Sequence, residues 1–156
     1  MRLLPAVLTT LLASAFALAQ CPFTAVSTQS YGQGCNSVFL NLPTLGATLD
    51  ATTCQVQITV SAFSGCCNTY LIGNLLALGG QSTLIPVPEL GPSCTLLVTP
   101  DILLFQPNTV GSTFTLSLPP VLPPLTFYAQ GGALYFTTIG FSYDFALTAG
   151  YQVTLL

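Results

Sequence analysis

The chain has 156 residues, with one Arg, no Lys, no His and four acidic side chains, for a formal charge of −3. Charged residues make up 3% of it, against about 25% in an ordinary soluble domain. That balance leaves nothing to neutralise phosphates, so no nucleic-acid partner is expected, and no His or Lys base to activate a nucleophile.

Residues 1–19, MRLLPAVLTTLLASAFALA, read as a secretory signal. Arg2 and the amine form a basic start, an apolar run follows, and Ala17-Leu18-Ala19 is a small-residue cleavage site. The run is too short for a membrane span. Cleavage leaves residues 20–156 as one domain without Arg2, which moves the side-chain charge from −3 to −4. No membrane span is expected in that mature chain, and its surface is then built from Ser, Thr, Gln and Asn.

The rest of the chain is short apolar or alternating runs punctuated by Pro and Gly, a strand-and-turn texture. A strand is predicted at Val38–Leu42. The clearest strand is Cys54–Phe63, where Val56, Ile58, Val60 and Ala62 face one way and Gln55, Gln57, Thr59 and Ser61 the other. Such alternation marks one buried and one wet face. A turn at Ser64-Gly65 follows. Residues 70–78 fit either a buried strand or a short helix, with Gly73 weakening the helix.

Further strands are predicted at Thr83–Val87, Cys94–Val98, Ile102–Phe105 and Thr113–Leu118. Pro119-Pro120 and Pro123-Pro124 then force an extended crossover. Leu125–Gln130 and Ala133–Thr138 read as a hairpin about Gly131-Gly132. Phe141–Thr148 and Tyr151–Leu155 read as two strands about Ala149-Gly150. The sum is an all-β fold, a single antiparallel β-sandwich of about nine short strands. Its edge strands lack the charges that usually guard sheet edges.

The six cysteines are Cys21, Cys35, Cys54, Cys66, Cys67 and Cys94. An even number in an exported chain predicts three disulfides, with 15 possible connectivities. Cys66 and Cys67 are adjacent, so each is expected to tie a different segment. A zinc site is disfavoured, since there is no His and no C-x-x-C pair. No metal, cofactor-binding or catalytic residue is assigned.

Four acids, Asp50, Glu89, Asp101 and Asp144, leave a paired-carboxylate mechanism formally open. None lies in an Asp-Thr-Gly or Asp-Ser-Gly turn, and Asp50 and Asp101 suit turn positions. A weak calcium site at Asp101 or Asp144 would need backbone carbonyls as well. Gly32-Gln33-Gly34 lacks the third Gly and the helix of a dinucleotide site. The six tyrosines, Tyr31, Tyr70, Tyr128, Tyr135, Tyr143 and Tyr151, read first as strand packing and second as a sugar-stacking face.

Four motifs follow one another in a recognisable order: Tyr31-Gly32-Gln33-Gly34-Cys35, Cys94-Thr95-Leu96-Leu97-Val98-Thr99-Pro100-Asp101, Leu125-Thr126-Phe127-Tyr128-Ala129-Gln130 and Tyr151-Gln152-Val153-Thr154-Leu155. Over residues 31–156 the chain resembles an uncharacterised family of secreted β-rich bacterial domains that occur as many paralogues in one genome. The resemblance implies export, an all-β fold and a pairing of Cys35 with Cys94. It implies no activity. The expected function is a secreted, non-enzymatic structural or adhesion-type protein of the cell surface or extracellular matrix, with self-association. The alternative is a binding module for a neutral ligand such as polysaccharide. A small two-carboxylate hydrolase and an outer-membrane barrel are the lesser readings.

Overall fold

The computed structural model describes residues 21–36, 41–91, 94–107, 110–119 and 123–156. The expected signal, 1–19, lies outside them, as do most of the predicted strand Val38–Leu42 and the middle of the Pro119–Pro124 crossover. Asn41 and Leu42 are not strand.

Eleven strands form among the described residues, two more than the approximate nine predicted. They are β1 (Val26–Tyr31), β2 (Cys35–Asn36), β3 (Thr44–Asp50), β4 (Gln55–Ser61), β5 (Thr69–Gly79), β6 (Ser82–Pro86), β7 (Thr95–Val98), β8 (Ile102–Pro107), β9 (Gly111–Ser117), β10 (Leu125–Thr137) and β11 (Ser142–Leu155). Residues 70–78 are therefore strand. Every pairing is antiparallel.

The large sheet runs β1-β11-β10-β5-β8, with β2 also on β11. A three-stranded sheet, β3-β4-β9, packs on one face. The alternation read in β4 is what makes this possible. Val56, Ile58 and Val60 are fully buried, and in register they meet Leu45, Leu49, Phe114 and Leu116 of the flanking strands. From the large sheet, Leu76, Leu78, Ala129, Val153 and Leu155 complete this core, and Phe23 closes it. Burying side chains of this size stabilises the fold by about 1.5–3 kcal/mol each. The β6-β7 hairpin and a 3-10 turn at Pro88–Leu90 cover part of the opposite face, over Cys35, Cys94 and Leu147.

Both glycine turns predicted near the C-terminus are corrected. β10 runs straight through Gly131-Gly132 with only a register shift, and β11 runs straight through Ala149-Gly150. These glycines serve close approach. A Cβ on Gly131 would lie 3.0 Å from Val60, and one on Gly150 would lie 2.5 Å from the Tyr31 ring. The chain reverses instead between β10 and β11, where Gly140 and Phe141 take positive φ. Glycine tolerates both uses for the same reason, the missing Cβ.

Two disulfides form, Cys21–Cys54 and Cys35–Cys94, the second being the pair that the resemblance implied. The expected third bridge is corrected: Cys66 and Cys67 are free, exposed thiols. They sit on the β4–β5 turn, at the end of β4 remote from Cys54. Seven residues of strand separate those ends by roughly 20 Å. Adjacent Cα atoms across a trans peptide are about 3.8 Å apart, below the roughly 4.4–6.8 Å a disulfide spans.

Candidate functional site

The four acids lie on or beside four different elements. Asp50 closes the β3–β4 turn, accepting from the Thr53 hydroxyl at 2.7 Å and from the Thr52 and Thr53 amides at 2.9 and 3.3 Å. These bonds, the Thr53 hydroxyl first, hold its carboxyl below the ordinary 3.8. The turn keeps that support above the ordinary value and loses it as pH falls through the lowered one. Asp101 accepts from the Gly80 amide at 2.9 Å and ties β5 to β8. Asp144 accepts from the Thr137 hydroxyl at 2.8 Å, between β10 and β11. Glu89 lies in the 3-10 turn. Among the described residues no three His, Cys, Asp or Glu side chains gather as metal ligands. No helix there is long and apolar enough to cross a membrane.

Gln130 is the polar group that sequence reasoning missed. It is 2% exposed. Its Oε1 accepts from the Leu97 amide at 2.8 Å, and its Nε2 donates to the Thr148 carbonyl at 3.0 Å and the Thr95 carbonyl at 3.3 Å. One side chain thus joins β7 to β10 and β11. The available signal was a lone amide between Ala129 and Gly131 in an otherwise apolar run.

The tyrosines divide. Tyr135 is fully buried, and burial pushes its phenol above the ordinary value. Tyr31 donates to the Leu97 carbonyl at 2.6 Å and meets Tyr128 edge to face at 5.9 Å. Burial, then Tyr128, raises its phenol too. Tyr151 packs against the main core. Tyr70 and Tyr143 are different, at 56% and 65% exposed. Phe136 pairs in register with both, so the three rings sit side by side on β5, β10 and β11. Phe141, 79% exposed, joins them from the β10–β11 turn. Phe136 lies 6.4 Å from Phe141 and 5.3 Å from Tyr143, tilted by 50° and 51°. The result is a stepped aromatic surface, not a flat one. Cross-strand register creates it, because directly opposed residues point to the same face.

A second apolar surface is the edge strand β8. Ile102, Leu103 and Phe105 are exposed, Leu103 by 64%, and the strand carries no charge. The opposite edge, β1, presents Ser27, Thr28, Gln29 and Ser30 instead. Between the two sheets, a cleft of about 320 Å³ is lined by Leu78, Leu116, Leu118 and Phe127, with Asp101 at its margin. Its lining is mostly apolar, with Asp101 and Ser117 as its polar side chains. In comparison with known proteins, no family model matches the chain and no curated protein matches it.

Proposed function

We propose that this protein is a secreted, non-enzymatic structural or adhesion-type domain of the cell surface or matrix, associating with copies of itself. The observation that carries this reading is β8, the last strand of the large sheet among the described residues: it bears exposed Ile102, Leu103 and Phe105 and has no Lys, Arg, Asp or Glu within Ile102–Pro107, the nearest charge being Asp101 just before it. An edge of this kind is a template for pairing with another chain. The low charge of the exterior adds little repulsion as copies approach. The N-terminal leader pattern, the resemblance to secreted domains and two disulfides support export.

The expected result is reversible association of the purified mature chain in sedimentation equilibrium, lost when Leu103→Lys and Phe105→Lys are introduced together. Leu103 is 64% and Phe105 47% exposed, so lysine stems can keep the contacts these side chains make with the sheet while the charged heads reach water. A wild-type chain that stays monomeric at high concentration and is absent from the envelope fraction overturns the proposal.

The stepped aromatic surface favours a second reading, a binding face for a neutral polysaccharide. Aromatic rings stack against apolar sugar faces, and the absence of cationic side chains disfavours anionic glycans. Affinity electrophoresis in gels containing neutral polysaccharide is expected to retard the wild-type chain and release it on Tyr70→Ala with Tyr143→Ala. No retardation in any neutral polymer removes this reading.

A further inference from the structure

The β4–β5 turn holds two sulfurs with nothing in their own chain to join. Cys21, Cys54, Cys35 and Cys94 are paired with one another, and Cys66 and Cys67 remain as exposed thiols. The turn that carries them is anchored. Cys67 and Asn68 take positive φ. The Thr69 amide donates to the Cys66 carbonyl at 2.9 Å, and the Thr138 amide donates to the Asn68 carbonyl at 2.9 Å, tying the turn to the end of β10. The thiols are thus held at the tip of the large sheet.

The surface beside them is apolar. Tyr70 follows the turn by two residues, and Phe63 precedes it on the other side. Ile139 and Phe141 lie in the β10–β11 turn, next to Thr138. All four are exposed, and Tyr143 joins them in register with Phe136. The side-chain hydrogen bond in which the Cys66 thiol keeps its proton toward Cys67, then the charge interaction between the two, pushes the Cys66 thiol up. Exposed thiols in a chain whose other cysteines are oxidised point to a bond with another molecule.

We propose that Cys66 and Cys67 are a covalent cross-linking site that joins two copies of this chain through their sheet tips. The proposal rests on the self-association reading above and names its covalent partner. A second copy is the occupant that satisfies both observations at once, because a two-fold contact brings two thiols against two thiols and an aromatic surface against its equal. An oxidised low-molecular-weight disulfide is the oxidant. A thiolate of one copy attacks it, forming a mixed disulfide and releasing one small thiol. A thiolate of the second copy then attacks the protein sulfur of that mixed disulfide. The interchain S–S bond forms and the second small thiol leaves, so two protein thiols are oxidised and one small disulfide is reduced to two thiols.

The test uses the full chain produced in an oxidising secretory compartment, denatured in detergent without reductant. The expected result is a species of doubled mass that reductant collapses to the monomer, with tandem mass spectrometry finding Cys66 or Cys67 of one copy bonded to Cys66 or Cys67 of another. In C66S/C67S the doubled mass disappears while both internal disulfides remain. Persistence of the doubled mass in that variant overturns the proposal. So does a wild-type monomer with two alkylatable thiols, one lighter by two hydrogens from an internal Cys66–Cys67 ring, or one capped by small thiols. Denaturation removes non-covalent contacts, so this readout is separate from sedimentation. If C66S/C67S still associates reversibly while the wild type gives no covalent dimer, the cross-link alone has failed. A covalent dimer from a chain whose C66S/C67S form shows no association leaves the cross-link standing and removes the β8 route.

Discussion

Replacing Cys35 and Cys94 together by alanine is expected to cost about 4 kcal/mol of unfolding free energy, the loop-closure value for a cross-link of this span. The bond joins residues 59 apart in sequence, so its loss frees a large part of the chain in the unfolded state. The folded state loses something specific as well. β2 is only two residues long and pairs with β11, while the β6-β7 hairpin forms a separate two-stranded sheet. An isolated two-stranded sheet is marginal in water. The Cys35–Cys94 bond fastens the start of β7 to β2, over Leu147. Urea unfolding should show the loss as a lower midpoint. Hydrogen exchange should show the amides of β6 and β7 opening before those of β4 and β10. A loss under about 1 kcal/mol, with β7 protection intact, would mean that the hairpin is held by other contacts.

Gln130→Leu is expected to destabilise the fold by on the order of 3 kcal/mol, because a near-isosteric side chain leaves buried polar partners unmet. The Leu97 amide loses its acceptor, and the Thr148 and Thr95 carbonyls lose a donor. Leucine adds apolar contact, so a gain in hydrophobic burial works against the loss; desolvated peptide groups outweigh one or two methylenes. Neighbouring polar contacts do not substitute, since the Thr148 hydroxyl is already engaged with the Gly131 amide at 3.0 Å. Thermal unfolding measures the size of the effect, and faster exchange at the Leu97 amide locates it. An unchanged midpoint would show that β7 is not tied to β10 through this side chain.

These two effects fall on the layer that the sequence described least well. β4 was legible because seven residues alternate cleanly, and Val56, Ile58 and Val60 all point into the core. β9 was legible on the same ground, through Phe114 and Leu116. The sequence divides each of the two long strands in half, because Gly131-Gly132 and Ala149-Gly150 carry the composition of turns. Composition records a missing Cβ. It does not record whether the space is used by a reversing backbone or by Val60 and the Tyr31 ring. The tyrosines show the same limit. Tyr135 and Tyr143 stand eight residues apart in paired strands of similar composition, yet one is fully buried and the other mostly exposed. Face assignment passes through the register, and the bulges at Gln130/Gly132 and Leu134/Tyr135 shift that register.

By itself, the sequence determined the class of the fold, the low charge of its exterior, and the want of cationic groups for phosphate or acid–base chemistry. These follow from composition and short-range periodicity, which act through neighbours two to four residues away. Only the tertiary structure decided that Cys21 pairs with Cys54 while Cys66 and Cys67 stay free, which aromatics surface together at the sheet tip, and that Gln130 bridges the layers. Each depends on strands brought together from distant parts of the chain, where packing geometry, not local preference, sets what touches what.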